Sequence, residues 1–565
     1  MDQPTPSKDL SRANYATIWE SVARACPDRP AVVADGRTMT YRDLDDAAAR
    51  VAGTLRAEGL GAGSRVAIFM YNRVEYLVTV YAAYKIGAIP VNINFRYQGR
   101  ELADLLRTSR ADALVHPTSL GRHVRDAGRH VPLPGLVLTV SDEGRAPDED
   151  RVPDDDSPTA PGRSFATALD AEPLDPQPLS PDHQIFMFTG GTTGTPKAVV
   201  WTHGNLFDSQ LFSIYGSLPV AVPEDLDEVT RIAARTDLPP TVTLPLTPLM
   251  HATALFNVMN ALVLGGCVIF LPSASYDPLV AARTIHERRV TRLIVAGNAV
   301  VGPLVDVLDS PDGAGLDVSS LTTVLSSGMA WSDDLKLRLV TRAPRATLVD
   351  IFGSSEGGPF AYGVVRGPQD IPCHPRLAPG TVVFDAELRE VQDVPGATGV
   401  LAYRGQMPLG YDGDPERTAE AYPVINGVRY VMPGDHVRVL GDGLVELLGR
   451  GSAVVNTGGE KVFTGEVEAV LVAMPGVTDV VVFGAPDPRW GEVVTAYVVT
   501  APGTSLTAEQ VQEEVGRRLA GYKKPRKVFF VDALDRSPSG KLDMRTLRTR
   551  VPELEATELE AGQHT

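Results

Sequence analysis

Residues 184–188, Gln-Ile-Phe-Met-Phe, are the β-branched and aromatic run of a buried strand, and they break into Thr-Gly-Gly-Thr-Thr-Gly-Thr-Pro-Lys over 189–197. A chain with this junction must place a strand whose carboxyl end opens into a loop. Gly190, Gly191 and Gly194 remove the Cβ atoms that would keep backbone N–H groups from closing round an anion. Thr189, Thr192, Thr193 and Thr195 add hydroxyl donors, and Lys197 adds charge. The loop reads as a phosphate cradle; the plainer reading is a Thr/Gly surface turn. It is not a loop of the G-x-x-x-x-G-K-[ST] kind, because Lys197 follows Pro196.

Around this junction helix and strand patterns alternate. Residues 41–60 have helical apolar spacing ending at Gly61, 65–70 read as a strand, 74–86 as a helix and 89–93 as a strand. Such alternation predicts α/β layers. Segment 142–162 is acidic and proline-rich without an apolar period and predicts an exposed connector, and 219–240 is a second polar, insertion-like stretch. The longest apolar stretch, 254–271, contains Asn257 and Asn260 and is broken by Gly265-Gly266. It predicts a buried helix followed by a strand, not a membrane span.

Charge narrows the partners. The balance of 53 Lys+Arg against 70 Asp+Glu leaves −17, which repels nucleic acid and anionic membrane surfaces. Cys26, Cys267 and Cys373 have neither metal-ligand nor disulfide-framework spacing, and the first residues lack a signal-peptide pattern, so the expected compartment is the cytoplasm. A length of 565 residues predicts two or more domains, and a homodimer is the prior for a soluble enzyme.

Further candidates follow the loop. The apolar run 244–251 ends at His251 beside Ala252, Thr253 and Ala254; a lone histidine is either structural or lines a site. Segments 292–297, 322–328 and 347–353 each read as a strand running into small residues, and open α/β sheets hold ligands beyond such carboxyl ends. After the third comes Glu356, which either holds Mg²⁺ against phosphates gathered by the earlier loop or is a solvated loop glutamate. From Gly449 the pattern becomes helix 466–474, strands 477–484 and 493–499, helix 508–520 and strand 528–531, a compact α+β module. It closes with Arg-Ser-Pro-Ser-Gly-Lys over 536–541, a turn-forming loop presenting Lys541.

Taken together, these motifs in this order resemble the adenylate-forming superfamily of acyl-CoA synthetases, peptide-synthetase adenylation domains and luciferases, over residues 16–547. Stretches 94–97, 189–194, 425–430 and 449–461 look most like actinobacterial acyl-CoA synthetases that activate bulky acyl chains, including those of steroid side chains. The resemblance implies a layered α/β N-terminal domain over 1–449, a hinge at 450–452, a small mobile α+β domain over 453–552 and a tail over 553–565.

It also implies a two-step reaction in which carboxylate and ATP give an acyl-adenylate, from which the CoA thiol displaces AMP. The small domain rotates between the steps. By position, Thr189 to Lys197 would hold the β,γ-phosphates. Asp350, Ile351, Phe352, Gly353 and Ser354 would flank adenine, Gly328 and Ser355 would also bind the nucleotide, and Glu356 would bind Mg²⁺. Asp435 and Arg450 would engage ribose hydroxyls. Lys541 would stabilise charge developing during adenylation. Gly458, Gly459, Glu460 and Lys461 would line the pantetheine tunnel in the second arrangement. His251 would sit by the acyl carboxylate, with Phe256, Ala296, Gly297, Ser327, Met329 and Ala330 around the acyl pocket.

The chain departs from the superfamily pattern at Ala198, where glycine is usual, at Ser355 for threonine, at the hinge residue Ser452, and at Thr464-Gly465. An added Cβ at Ala198 would restrict a backbone that closes on phosphate. That motivates a second expectation, an enzyme confined to thioester formation on an acyl-adenylate supplied by another enzyme. Loading of a carrier protein, whose phosphopantetheine arm would enter the same tunnel, and a non-catalytic binding protein on the same fold are further alternatives.

Overall fold

The computed structural model describes residues 13–142, 161–190, 196–216, 218–273, 275–328, 331–450, 454–534 and 544–554. The predicted strand is Gln184–Gly190, and it turns back antiparallel on Pro196–Thr202, with Phe188 opposite Ala198 and Gly190 opposite Pro196. The two strands form an antiparallel pair flanking residues 191–195. Both strands belong to an eight-stranded sheet in which Ile89–Asn92, Arg65–Ile68, Ala113–Pro117 and Leu136–Val140 continue on one side and Gly410–Tyr411 borders the other.

A second sheet has thirteen strands. Its parallel part runs through Cys267–Ile269, Val242–Pro245, Arg292–Val295, Thr323–Ser327 and Thr347–Ser354, then continues antiparallel through Gly357–Val365. The largest core joins the two sheets. Val66, Ile68 and Ile185 of the first and Val32 and Val268 of the second pack with the helices Tyr15–Ala25, Tyr41–Ala57, Val74–Lys85, His203–Tyr215 and Ala252–Val263. The seam between sheets is thus fixed by apolar burial, and the strand ends at its rim form the ligand side.

Most predicted elements stand where the patterns put them. Helix Tyr41–Ala57 starts at a capping box in which the Thr40 hydroxyl accepts from Asp43 N–H and the Asp43 carboxylate from Thr40 N–H. The 219–240 stretch, read as an insertion without an element, instead contains the helix Leu226–Ala234. The Asp225 carboxylate caps it at Glu228 N–H (2.8 Å), and Val229 and Ala233 bury one narrow face. Two apolar anchors between polar neighbours are too thin a stripe to read from sequence. Most of the 142–162 connector lies outside the described residues.

The C-terminal unit is a five-stranded sheet with the helices Thr464–Val472 and Ala508–Arg518. Its own core is built from Val455, Val462, Leu471, Val482, Val498, Val511 and Val515. The pattern had not shown the hairpin that opens it, Val454–Thr457 against Glu460–Phe463. Among the described residues no helix is long and apolar enough to cross a membrane.

Candidate active site

Three neighbouring parallel strands end at one rim: Arg292–Val295 at Ala296-Gly297, Thr323–Ser327 at Gly328, and Thr347–Ser354 at Gly353-Ser354. Gly297 N–H donates to the Ser326 hydroxyl (3.0 Å), tying two of these ends together. Beyond the third, the Glu356 carboxylate accepts from Tyr411 OH (2.9 Å) and the Glu356 carbonyl from Tyr422 OH (2.9 Å). Glu356 is therefore an aimed carboxylate, not a solvated loop residue. Trp201, on the phosphate hairpin, donates its indole N–H to the Ser355 carbonyl (3.2 Å) and packs its ring on Phe256. Phe256 is buried in the main core, so it supports the pocket from behind Trp201.

Lys197 reaches across the hairpin to an ion pair with Asp414, and that contact, with the Arg417 N–H, holds the Asp414 carboxyl below the usual range. The Asp350 side chain is buried against Lys336 (3.4 Å), and desolvation, offset in part by Lys336, pushes its carboxyl up to about 6. Ile351 and Phe352 follow it along the strand opposite Tyr362 and Ala361. Thr189 pairs with Lys197 at the hairpin base. Gly191, Thr192, Thr193, Gly194, Met329, Ala330 and Lys541 lie outside the described residues.

Ala198 gives no sign of strain. It sits inside the strand Pro196–Thr202, its methyl buried with Ile89, Phe186 and Val200, and its carbonyl accepts from Asp412 N–H (2.9 Å). The added Cβ fills a small apolar cluster. Ala198→Gly is expected to lower stability by about 1 kcal/mol and to leave pyrophosphate release unchanged; thermal unfolding and a pyrophosphate assay check the pair.

Asp435 and Arg450 are register partners on the antiparallel strands Asp435–Gly441 and Leu444–Arg450, which puts both at the strand edge where the chain leaves for the C-terminal unit. That unit docks over the rim. Gly458 and Gly459, both at positive φ (60° and 84°), form the two-residue turn between Thr457 and Glu460, a geometry that favours glycine. A Cβ on Gly458 would meet the Trp490 ring at 2.8 Å.

The turn delivers Glu460 to the first domain, where its carboxylate meets Arg96 (2.7 Å) and His251 Nε2 (3.3 Å). Burial alone would push the Glu460 carboxyl up, but His251, Arg96 and Lys523 outweigh it and hold it down at about 2. A carboxyl depressed by docking contributes fully above its ordinary range near 4.5. Docking is therefore expected to weaken as pH falls from about 4.5 toward 2, which fluorescence transfer between labels on the two units would follow.

A second contact lies beside it. Lys523, buried, bridges Glu101 of the first domain (2.8 Å) and Glu466 of its own unit (2.8 Å), while Asn94 donates to Tyr522 OH (3.2 Å). Sequence reading missed this cluster, and it missed Trp490, whose ring faces carry the guanidinium carbons of Arg526 (4.3 Å) and Arg489 (4.9 Å). The spacing Arg489-Trp490 and Lys523-Lys524-Pro525-Arg526 was the available signal.

A hairpin carrying Lys197, an aimed carboxylate beyond adjoining strand ends, and a small α+β unit that lays a Gly-Gly-Glu turn over them are the arrangement of an adenylate-forming enzyme. The AMP-binding enzyme profile matches residues 19–411 and the AMP-binding enzyme C-terminal domain profile residues 466–541, and the chain belongs to this family. Among its relatives, the medium/long-chain-fatty-acid–CoA/3-oxocholest-4-en-26-oate–CoA ligase of Mycolicibacterium smegmatis is 36% identical over 97% of this chain and 98% of its own. The 3-oxocholest-4-en-26-oate–CoA ligase of Rhodococcus rhodochrous is 33% identical over 94% and 95%. In structure the chain is similar to the amide bond synthetase McbA of Marinactinospora thermotolerans (TM-score 0.77, 25% identity, covering 95% of this chain and 100% of that one). It is also similar to a Mycobacterium tuberculosis fatty acyl CoA synthetase (TM-score 0.62, 25% identity, covering 95% and 98%).

Proposed function

We propose that this enzyme converts a bulky carboxylic acid, of the size of a steroid side-chain acid, to its CoA thioester through an acyl-adenylate. The observation that carries the reading is the Gly458-Gly459-Glu460 turn seated at His251: a unit that brings its turn to the acyl end of the site is arranged for thiol transfer. Lys197, freed from Asp414, would hold phosphate, and the oriented Glu356 carboxylate would hold Mg²⁺. Among the described residues no three His, Cys, Asp or Glu side chains gather as a metal site, so phosphate oxygens would complete the ion's shell. His251 stands at the amino end of helix Ala252–Val263, whose dipole favours a carboxylate there.

The Trp490 face with Arg489 and Arg526, against which Gly458 packs, suits the phosphorylated adenine end of CoA. The strand geometry at Ala198 supports a complete two-step enzyme over one confined to the thiol step. Pyrophosphate release and CoA-thioester mass spectrometry with a panel of polycyclic and branched acids test the proposal. Both signals from the same acid are expected; thioester from synthetic acyl-adenylate without pyrophosphate release from any acid would sink it.

A further inference from the structure

In the proposed reaction the acid and the phosphates are gathered by different sheets. Residues 189–197 follow the strand run 184–188 of the eight-stranded sheet, whereas His251 comes six residues after the strand Val242–Pro245 of the thirteen-stranded sheet. Adenylation depends on the distance between them: a carboxylate oxygen bonds to the α-phosphorus as the bond to pyrophosphate breaks, and both must be held in line. Hydrogen bonding within either sheet leaves that distance open.

Asn92 spans it. It ends the strand Ile89–Asn92, whose Val91 pairs in parallel with Phe186. One step further on, the Asn92 side chain continues the pairing in place of backbone. Its Oδ1 accepts from Phe188 N–H (3.0 Å), one residue before Thr189, and its Nδ2 donates to the Met250 carbonyl, one residue before His251. Asn92 is 6% exposed. The His251 segment is braced from the same side by Asn72, which donates to the Thr247 carbonyl (2.9 Å) and accepts from Leu249 N–H (2.7 Å), and by Tyr76 OH, which donates to the Leu249 carbonyl (3.3 Å). Those contacts stop at the His251 segment, whereas Asn92 also grips the strand that leads to Thr189. An amide suits both ends, since its oxygen accepts from a backbone N–H while its nitrogen donates to a backbone carbonyl. An ionised aspartate keeps only the acceptor, and leucine keeps only the size.

We propose that Asn92 is a positioning residue for adenylation, setting the spacing between the acid beside His251 and the phosphates beside Lys197. It acts through the backbone at Phe188 and Met250 and touches neither reactant. The proposal rests on the acyl-CoA synthetase reading and deepens it. Once the acyl-adenylate exists, a covalent bond fixes the same spacing, so thiol transfer is indifferent to Asn92.

The test uses the full chain as Asn92→Asp and Asn92→Leu. In both, kcat for pyrophosphate release with the best acid is expected to fall by about 10²-fold, with KM for acid and ATP within about threefold of wild type. Thioester formation from synthetic acyl-adenylate and CoA is expected to stay within about threefold. Unchanged adenylation, or equal loss in both half-reactions, overturns the proposal. Amide hydrogen exchange needs no turnover: in N92L it is expected to quicken together in peptides covering 186–190 and 249–252, and a change in one alone or in neither overturns the bridge. If the wild type activates no acid, the synthetase reading falls while the exchange result still judges the bridge. Should neither variant fold, Asn72→Ala, which loosens the His251 segment alone, is expected to lower adenylation several-fold and spare thiol transfer; equal loss in both, or no loss, overturns the proposal.

Discussion

Glu101→Gln is expected to slow thioester formation from a synthetic acyl-adenylate by about one to two orders of magnitude, while adenylate formation from acid and ATP changes by less than about threefold. The Glu101–Lys523 contact crosses between the units, is buried, and stands beside the contact of Glu460 with His251. Removing the charge leaves Lys523 held by Glu466 alone, so the cost falls on docking and not on the fold of either unit. Glutamine keeps the side chain's size and one acceptor oxygen for Gln98 N–H, to which Glu101 now also bonds (3.0 Å). Rapid-quench measurement of the two half-reactions separates the outcomes. Equal loss in both would mean that the helix Gly99–Ser109 is damaged, and the docking role would be refuted.

Lys541→Ala is expected to have the opposite selectivity. Its assignment rests on resemblance, since it lies outside the described residues. A cation placed where charge develops in adenylation should be worth about 10²–10³ in rate, whereas thiol transfer, with the Gly458-Gly459 turn in its place, should be spared. Together the two variants form a crossed pair. If both fall on the same half-reaction, the division of labour between the Lys541 loop and the Glu460 turn is wrong.

What could be read in the sequence was what local chemistry repeats. The strand 184–188 and its loop, the three strand ends at Gly297, Gly328 and Gly353, and the alternating elements of the C-terminal unit each carry their own pattern of apolar period and glycine. Contacts between distant stretches were not legible. Nothing near Asp350 announces Lys336, nothing near Glu101 announces Lys523, and a buried acid reads the same as a ligand-facing one. Arg292 was invisible for a further reason. An arginine at the head of an apolar run looks like the polar boundary of a strand, and only its burial beside Thr243 of the neighbouring strand shows it to be enclosed.

The hairpin that began as a phosphate cradle also carries its own counterweight. With Asp414 already holding Lys197, a polyphosphate gains that lysine only by displacing a carboxylate, and the carboxylate returns when the phosphate leaves. In the proposed cycle this makes the loop a reversible exchanger: each turnover trades one anion for another, so the lysine never faces solvent as a lone charge and released pyrophosphate meets a competitor at the place it has just vacated. Product inhibition by pyrophosphate should then depend on Asp414, a residue that lies 217 positions from the lysine it pairs with.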